Sequence, residues 1–154
     1  MERNALFFDK IEYDYRNTVY EGGIMPVAIM IVDDSRIMRS TVKGLFSGVA
    51  SYCKFFEAED GEQALKLLET ETIHLVLLDW NMPKLSGIDF LKQVRAMDQY
   101  KEIPIIMVTS EAAKFNVIEA LKNGATDYIT KPINLELFKS KLGKLNIFRM
   151  GIWN

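Results

Sequence analysis

Apolar residues run in short unbroken blocks, each of which stops at a polar or charged side chain. Val27 to Val32 ends at Asp33-Asp34, Leu75 to Leu78 at Asp79, Ile105 to Val108 at Thr109, and Tyr128 to Thr130 at Lys131-Pro132. Blocks of this length bounded by polar residues predict buried strands. The pattern gives strands near 27–32, 52–57, 74–79, 103–109 and 126–130. Helical spacing fills the intervals. Ile37, Met38, Thr41, Val42, Leu45, Phe46 and Val49 recur at i, i+4 and i+8, and Leu135, Phe138, Leu142 and Leu145 form a second apolar stripe. Asp60, Ser86 and Asn134 stand where helices should start, as N-caps, and Asn123-Gly124 closes the helix containing Phe115, Val117, Ile118 and Leu121.

Strand and helix alternate five times from about residue 26, which predicts an α/β fold with a doubly wound parallel sheet. The first, third and fourth strands are almost wholly apolar and should be central, whereas Tyr52 to Glu57 and Thr126 to Thr130 mix polar with apolar and should be edges. That assignment fits a five-stranded sheet of order 2-1-3-4-5, the flavodoxin-like arrangement, with helices on both faces. In such a sheet all strand C-termini lie on one edge, where ligand sites form. Asp33, Asp34, Asp79, Thr109 and Lys131 are therefore expected to converge on one pocket.

Residues 1 to 24 do not fit this rhythm. They are read as an N-terminal extension ending at Glu21-Gly22-Gly23, ahead of a main unit at 25–147 and a C-terminal tail at 148–154. A loose tail, a true start at Met25, and a docking segment using Phe7, Phe8, Tyr13, Tyr15 and Tyr20 all remain open.

Composition narrows the function. The 154 residues suffice for one domain with a continuous core. A net charge of -2 offers no broad positive field for a phosphate backbone, so nucleic-acid binding is not expected. Cys53 is the one cysteine, which suits a reducing compartment and no internal disulfide. With no apolar run long enough for a membrane span and no secretory leader, the expectation is a cytoplasmic, monomeric protein without a membrane partner. Met30, Met38, Met97 and Met107 read as packing residues, and His74, at the start of the third strand, as a structural or surface histidine.

Three carboxylates at one sheet edge would repel strongly unless something positive is bound there. With oxygen ligands and no His or Cys nearby, the expected ion is Mg²⁺. Together with Lys131 it would balance the three acids and leave room for a phosphoryl group. Phosphoryl transfer needs positioning and charge neutralisation, and a carboxylate flanked by Mg²⁺ and Lys supplies a nucleophile with both. Asp79, alone on a central strand, is the natural acceptor.

Val32-Asp33-Asp34-Ser35, Leu78-Asp79-Trp80-Asn81-Met82-Pro83, Val108-Thr109-Ser110-Glu111 and Lys131-Pro132, in this order and spacing, resemble the receiver domains of two-component response regulators. Asp79-Trp80-Asn81-Met82-Pro83 with Glu111-Ala112-Ala113-Lys114 resembles the single-domain chemotaxis CheY type, over about residues 26 to 146. The resemblance implies that a histidine kinase donates a phosphoryl group to Asp79. It implies Mg²⁺ held by Asp34, Asp79 and the Asn81 carbonyl, with Asp33 acting through water. Lys131 and Thr109 would contact the phosphoryl oxygens, and a cis peptide before Pro132 would aim Lys131. Glu111 and the Asn81 side chain would tune the acyl-phosphate lifetime. Thr109 and Tyr128 would form the switch, and Ala112, Lys114, Val117, Leu121, Tyr128 and Lys141 the face read by a flagellar motor switch protein or another output protein.

Other readings weigh less. A haloacid-dehalogenase-like, Mg²⁺-dependent aspartyl-phosphate hydrolase needs a second acid two residues after its nucleophile, where Asn81 stands. A nucleotide-binding module lacks a glycine-rich loop after the first strand. A single-domain phosphorelay shuttle or sink, passing phosphate to a histidine phosphotransfer protein, keeps the same pocket with a different output. The residues after 146 are too few for a DNA-binding domain.

Overall fold

The computed structural model describes residues 26–110, 114–145 and 147. The N-terminal extension, the tail at 148–154, Glu111 and Ala112 lie outside the described residues. The element order is β1 (Val27–Val32), α1 (Arg36–Gly44), β2 (Cys53–Ala58), α2 (Gly61–Thr70), β3 (Leu75–Asp79), α3 (Gly87–Ala96), β4 (Ile105–Ser110), α4 (Lys114–Lys122), β5 (Asp127–Lys131) and α5 (Leu135–Gly143), with short 3-10 turns at Ala50–Tyr52 and Asp98–Tyr100. The strands form one parallel sheet in the order β2-β1-β3-β4-β5. Both the order and the edge positions of β2 and β5 agree with the apolar pattern, since every residue of β1 and β3 is buried while β2 and β5 are only partly so.

Alternation along the strands divides the core into two layers. Met30, Val32, Val76, Leu78, Ile105 and Met107 face α2, α3 and α4, meeting Ala64, Leu68, Phe90, Leu91, Val94 and Ala120. Ile29, Ile31, Leu75, Leu77, Ile106, Val108 and Ile129 face α1 and α5, meeting Val42, Phe46, Phe138 and Leu142. Phe46 packs edge-on against both Phe55 and Phe138, with ring centroids 5.4 and 5.2 Å apart. Met30 and Met107 are fully buried, as their packing role requires, whereas Met38 and Met97 are half-buried.

The helix starts follow the sequence signals. Asp60 accepts from the Gln63 N–H, Ser86 from Asp89 and Asn134 from Leu137. At the far end of α4, Gly124 adopts φ +98°, and the N–H of Ala125 donates to the Ala120 carbonyl, a helix stop that favours glycine. His74 is buried at the start of β3, where Nδ1 accepts the Ala28 N–H at 2.8 Å, and burial pushes its pKa down to about 4. Burial raises the Cys53 thiol to about 11, so it is a packing residue rather than a thiolate.

Two stripe assignments change. On α1 and the turn after it the buried line is Arg39, Val42 and Phe46, while Ile37 is 78% exposed and Thr41 is exposed. At roughly 100° per residue, the row 37-41-45 lies on the flank of the face that the sheet covers, so only its far end, Leu45, is partly buried. On α5, Leu135 sits in the first turn and remains 42% exposed, although Phe138 and Leu142 are fully covered.

Gly87 fixes the loop that follows β3. Its N–H donates to the Trp80 carbonyl at 3.0 Å, and a Cβ there would lie 1.9 Å from the Asp79 carbonyl oxygen. Gly87→Ala is expected to cost about 3 kcal/mol or more, at or beyond the upper end of ordinary overpacking, because the obstruction is backbone that no rotamer change relieves. Gly48→Ala, which meets nothing within 4 Å, should stay within about 0.5 kcal/mol. Urea unfolding of the two variants beside the parent measures the difference.

Candidate functional site

The C-terminal ends of β1, β3, β4 and β5 meet at one edge of the sheet. Asp33 and Asp34 follow β1, Asp79 ends β3, Thr109 is the penultimate residue of β4, and Lys131 ends β5. One carboxylate oxygen from each of Asp33, Asp34 and Asp79 lies within 4.8 Å of the others. Lys131 Nζ bridges two of these acids, at 3.1 Å from Asp33 Oδ2 and 3.3 Å from Asp79 Oδ1. It thereby links the ends of β1, β3 and β5, across as many as 98 residues of sequence. The Lys131-Pro132 peptide is cis.

Asp33 and Asp79 are buried and Asp34 is exposed, so the cluster is closed below and open on one side. The open side continues into a groove of about 440 Å³ lined by Asp34, Trp80, Asn81, Met82, Pro83 and Ser86. Trp80 thus stands at the pocket mouth, and its backbone N–H donates to Asp79 Oδ1 at 2.9 Å. Within the groove's loop Lys84 takes φ +64°, an uncommon conformation for a residue with a side chain. Lys84 Nζ lies 3.7 Å from Asp60 Oδ2, across to the start of α2.

Electrostatics mark the centre of the cluster. Burial, followed by the neighbouring Asp33 carboxylate, raises the pKa of Asp79 above the usual carboxylate value, against the opposing pull of Lys131 and the Trp80 N–H. Burial alone would lower Lys131, but the Asp79 and Asp33 carboxylates outweigh it and hold the ammonium above its ordinary value. Three acids against one lysine leave an excess of negative charge in a partly desolvated place. An all-oxygen set with one exposed member and no His or Cys fits a hard divalent cation that keeps some of its water.

The helix that follows the acid pair is capped by neither acid. Ser35 is the N-cap of α1 and accepts the Met38 N–H, while Asp33 Oδ1 accepts the Ser35 N–H at 2.8 Å. Both acids are left to the pocket. Thr109 is buried at the same edge, with its hydroxyl donating to the Ser110 carbonyl at 3.0 Å rather than to a pocket acid.

The residues expected at a partner face fall into several situations. Ala112 lies outside the described residues, and Lys114 opens α4. Val117 is only 9% exposed and belongs to the interior side of α4, so it offers little to a surface. Leu121 is exposed, together with Phe115 and Ile118, which a helical stripe alone does not separate from core positions. Tyr128 is half-buried against the α2–α3–α4 layer. Lys141 places its ammonium 4.0 Å from the Tyr128 ring centroid, 3.0 Å from Asp127 Oδ1 and in hydrogen-bond contact with the Tyr128 carbonyl.

One neighbour of the site escaped the sequence reading. Arg39 is buried on α1, and its Nη1 donates to the Asp33 carbonyl at 2.7 Å. The available signal was its spacing, three residues before Val42 and seven before Phe46, which puts a guanidinium on the covered face.

Residues 29–142 match the model of the response regulator receiver domain. Chemotaxis protein CheY1 of Helicobacter pylori is 44% identical over 115 residues, covering 74% of this chain and 92% of that protein. Chemotaxis protein CheY of Pseudomonas aeruginosa is 38% identical over 117 residues, covering 76% and 94%. The high-resolution structure of chemotaxis response regulator CheY4 of Vibrio cholerae superposes with a TM-score of 0.69 at 31% identity, covering 78% of this chain and 98% of that one. A putative response regulator of Chloroflexus aurantiacus, with a TM-score of 0.73 at 24% identity over 80% of this chain and 99% of that one, shares the fold. With the acid cluster at the strand ends and a family match that spans most of the fold, the chain belongs to the response regulator receiver domains, of the CheY chemotaxis type, and is a phosphorylation-activated switch of two-component signalling.

Proposed function

We propose that Asp79 is the phosphoacceptor and that a histidine kinase phosphohistidine is the donor. The observation that carries this reading is the placement of Asp79 at the end of a central strand, within 4.8 Å of two further carboxylates and 3.3 Å from Lys131. An Asp79 oxygen attacks phosphorus, the phosphorus–nitrogen bond of the donor breaks, and the leaving imidazole regains a proton. Asp34, Asp79 and the Asn81 carbonyl would hold Mg²⁺, with Asp33 acting through water. Bound there, Mg²⁺ supplies charge neutralisation for the phosphoryl oxygens. Lys131 contacts those oxygens from the opposite side, and the Thr109 hydroxyl leaves the Ser110 carbonyl to bond one of them. Water attack on phosphorus later releases inorganic phosphate and restores the carboxylate, at a rate tuned by the Asn81 side chain and Glu111.

Signalling then depends on a change at β4 and β5. The acyl phosphate adds about one negative charge and three acceptor oxygens to the pocket. Thr109 moves toward it, and Tyr128 turns inward past Lys141 into the space that is vacated. The face of α4, β5 and α5, including Leu121, Tyr128 and Lys141, is thereby presented to a flagellar motor switch protein. Val117 supports this face from beneath. A cytoplasmic receiver unit at 25–147 with appendages at 1–24 and 148–154 completes the reading. Among the described residues no helix is long and apolar enough to cross a membrane.

Three outcomes are expected. Radiolabelled acetyl phosphate with Mg²⁺ should label the parent protein, while Asp79→Ala, or the parent with a chelator in excess, should lose at least nine-tenths of the label; full labelling of Asp79→Ala would overturn the acceptor assignment. Because the folded pKa of Asp79 lies above its unfolded value, its ionisation weakens the fold as pH rises through that window. Asp79→Asn should therefore melt higher than the parent at pH 7 in chelator. That gap should close on acidification toward the carboxylate range, and also in millimolar Mg²⁺, which stabilises the parent's folded state. Finally, a motor switch peptide should bind the phosphorylated parent about tenfold more tightly than the unmodified protein, and Lys131→Ala should take up label yet lose most of that gain, as titration by fluorescence anisotropy would measure.

A further inference from the structure

We propose that Arg39 is a positioning residue for divalent-cation binding, acting through the backbone carbonyl of Asp33. The inference rests on the reading of the acidic pocket as a cation site. Arg39 has a side chain only 8% exposed, yet it lies on α1 rather than in the pocket. Its planar fork makes two hydrogen bonds and one longer ion pair. Nη1 donates to the Asp33 carbonyl at 2.7 Å, and Nε donates to Glu57 Oε1 at 3.0 Å, with Nη2 at 3.9 Å from Glu59 Oε1. Lys43 holds the other Glu57 oxygen at 3.1 Å, so the carboxylate that orients the guanidinium is itself anchored.

Asp33 is consequently fixed at every polar group. Its N–H donates to the Ala58 carbonyl at 3.1 Å, its carbonyl accepts from Arg39, Oδ1 accepts the Ser35 N–H, and Oδ2 accepts from Lys131. Of these four ties the Arg39 bond alone reaches the backbone between Asp33 and Asp34 from a side chain. It therefore sets the direction in which the chain leaves β1 and hence where the exposed Asp34 carboxylate stands. Ligand-supporting contacts of this kind are worth about 10- to 100-fold in metal affinity.

The sign of the effect separates positioning from simple charge. Removing a cation near an acidic site should strengthen Mg²⁺ binding if Coulomb attraction alone mattered. Positioning requires the opposite. Lysine at 39 would keep the charge, but its single ammonium cannot serve the Asp33 carbonyl and Glu57 in the geometry of the fork.

MgCl₂ titration by isothermal calorimetry at constant ionic strength, with a thermal melt of each protein, tests this. Arg39→Met is expected to bind Mg²⁺ at least tenfold more weakly and Arg39→Lys several-fold more weakly. Glu57→Gln, which leaves the bond to the Asp33 carbonyl in place, should stay within about threefold of the parent, the scale of a partly exposed charge. Should Arg39→Met not melt cooperatively, Arg39→Lys decides. Unchanged or tighter binding by the Arg39 variants that fold, or a loss in Glu57→Gln as large as theirs, would overturn the proposal. Absence of Mg²⁺ binding by the parent would instead remove the cation-site reading beneath it.

Discussion

Like charge gathered at one sheet edge is the constraint on which the rest of the molecule depends. Three carboxylates within 4.8 Å of one another, two of them buried, resist joint ionisation, and a single ammonium offsets only part of their charge. A protein selected for stability alone would have no use for such an edge. The raised pKa of Asp79 is the local sign of that strain, and burial contributes more to it than the neighbouring acid does. The same imbalance makes the pocket receptive to a divalent cation and, with it, to the oxygens of a phosphoryl group. Lys131 is the counterweight within the chain, joining strand ends from three separate stretches of sequence.

Holding mutually repelling groups in place requires rigid surroundings, and the backbone supplies them. Gly87 lets the first turn of α3 press against the carbonyl of Asp79, while the N–H of Gly61 donates to the Leu85 carbonyl at 3.1 Å. Two helix starts thus pin the loop that carries Trp80 and Asn81. On the other side of the cluster, the Ser35 cap and the buried Arg39 fix the turn after β1. The ends of central strands position the acids, and helix starts determine how far each can move. This division explains why polar groups at this edge survive beside a largely apolar core.

The path from the pocket to the surface is short. Asp79 pairs in register with Val108, next to Thr109, and Thr109 pairs with Thr130 of β5, two residues from Tyr128. Tyr128 in turn lies beneath the Lys141 ammonium, which also bonds Asp127 and thereby ties β5 to α5. A change in the hydrogen bond of the Thr109 hydroxyl therefore meets, within two residues along β5, an aromatic ring that is half-buried and held by a cation. Phe115, Ile118 and Leu121 leave apolar area exposed on α4.

The chain's apolar pattern was enough to order the sheet, because parallel strands covered on both faces must be apolar throughout while edge strands need not be. The same logic made Asp33, Asp34, Asp79 and Lys131 legible as neighbours, since a parallel sheet places every strand C-terminus on one side. Helix starts at Asp60, Ser86 and Asn134 were legible too, for capping is a local hydrogen bond between residues three apart. Tertiary packing alone decided which flank of α1 is covered, leaving Ile37 in solvent and drawing Arg39 inward, and it decided that Val117 turns to the core while Leu121 does not. A helical repeat specifies angles about an axis but not the direction of the sheet, and a long polar side chain becomes buried only where distant strands happen to offer it an acceptor.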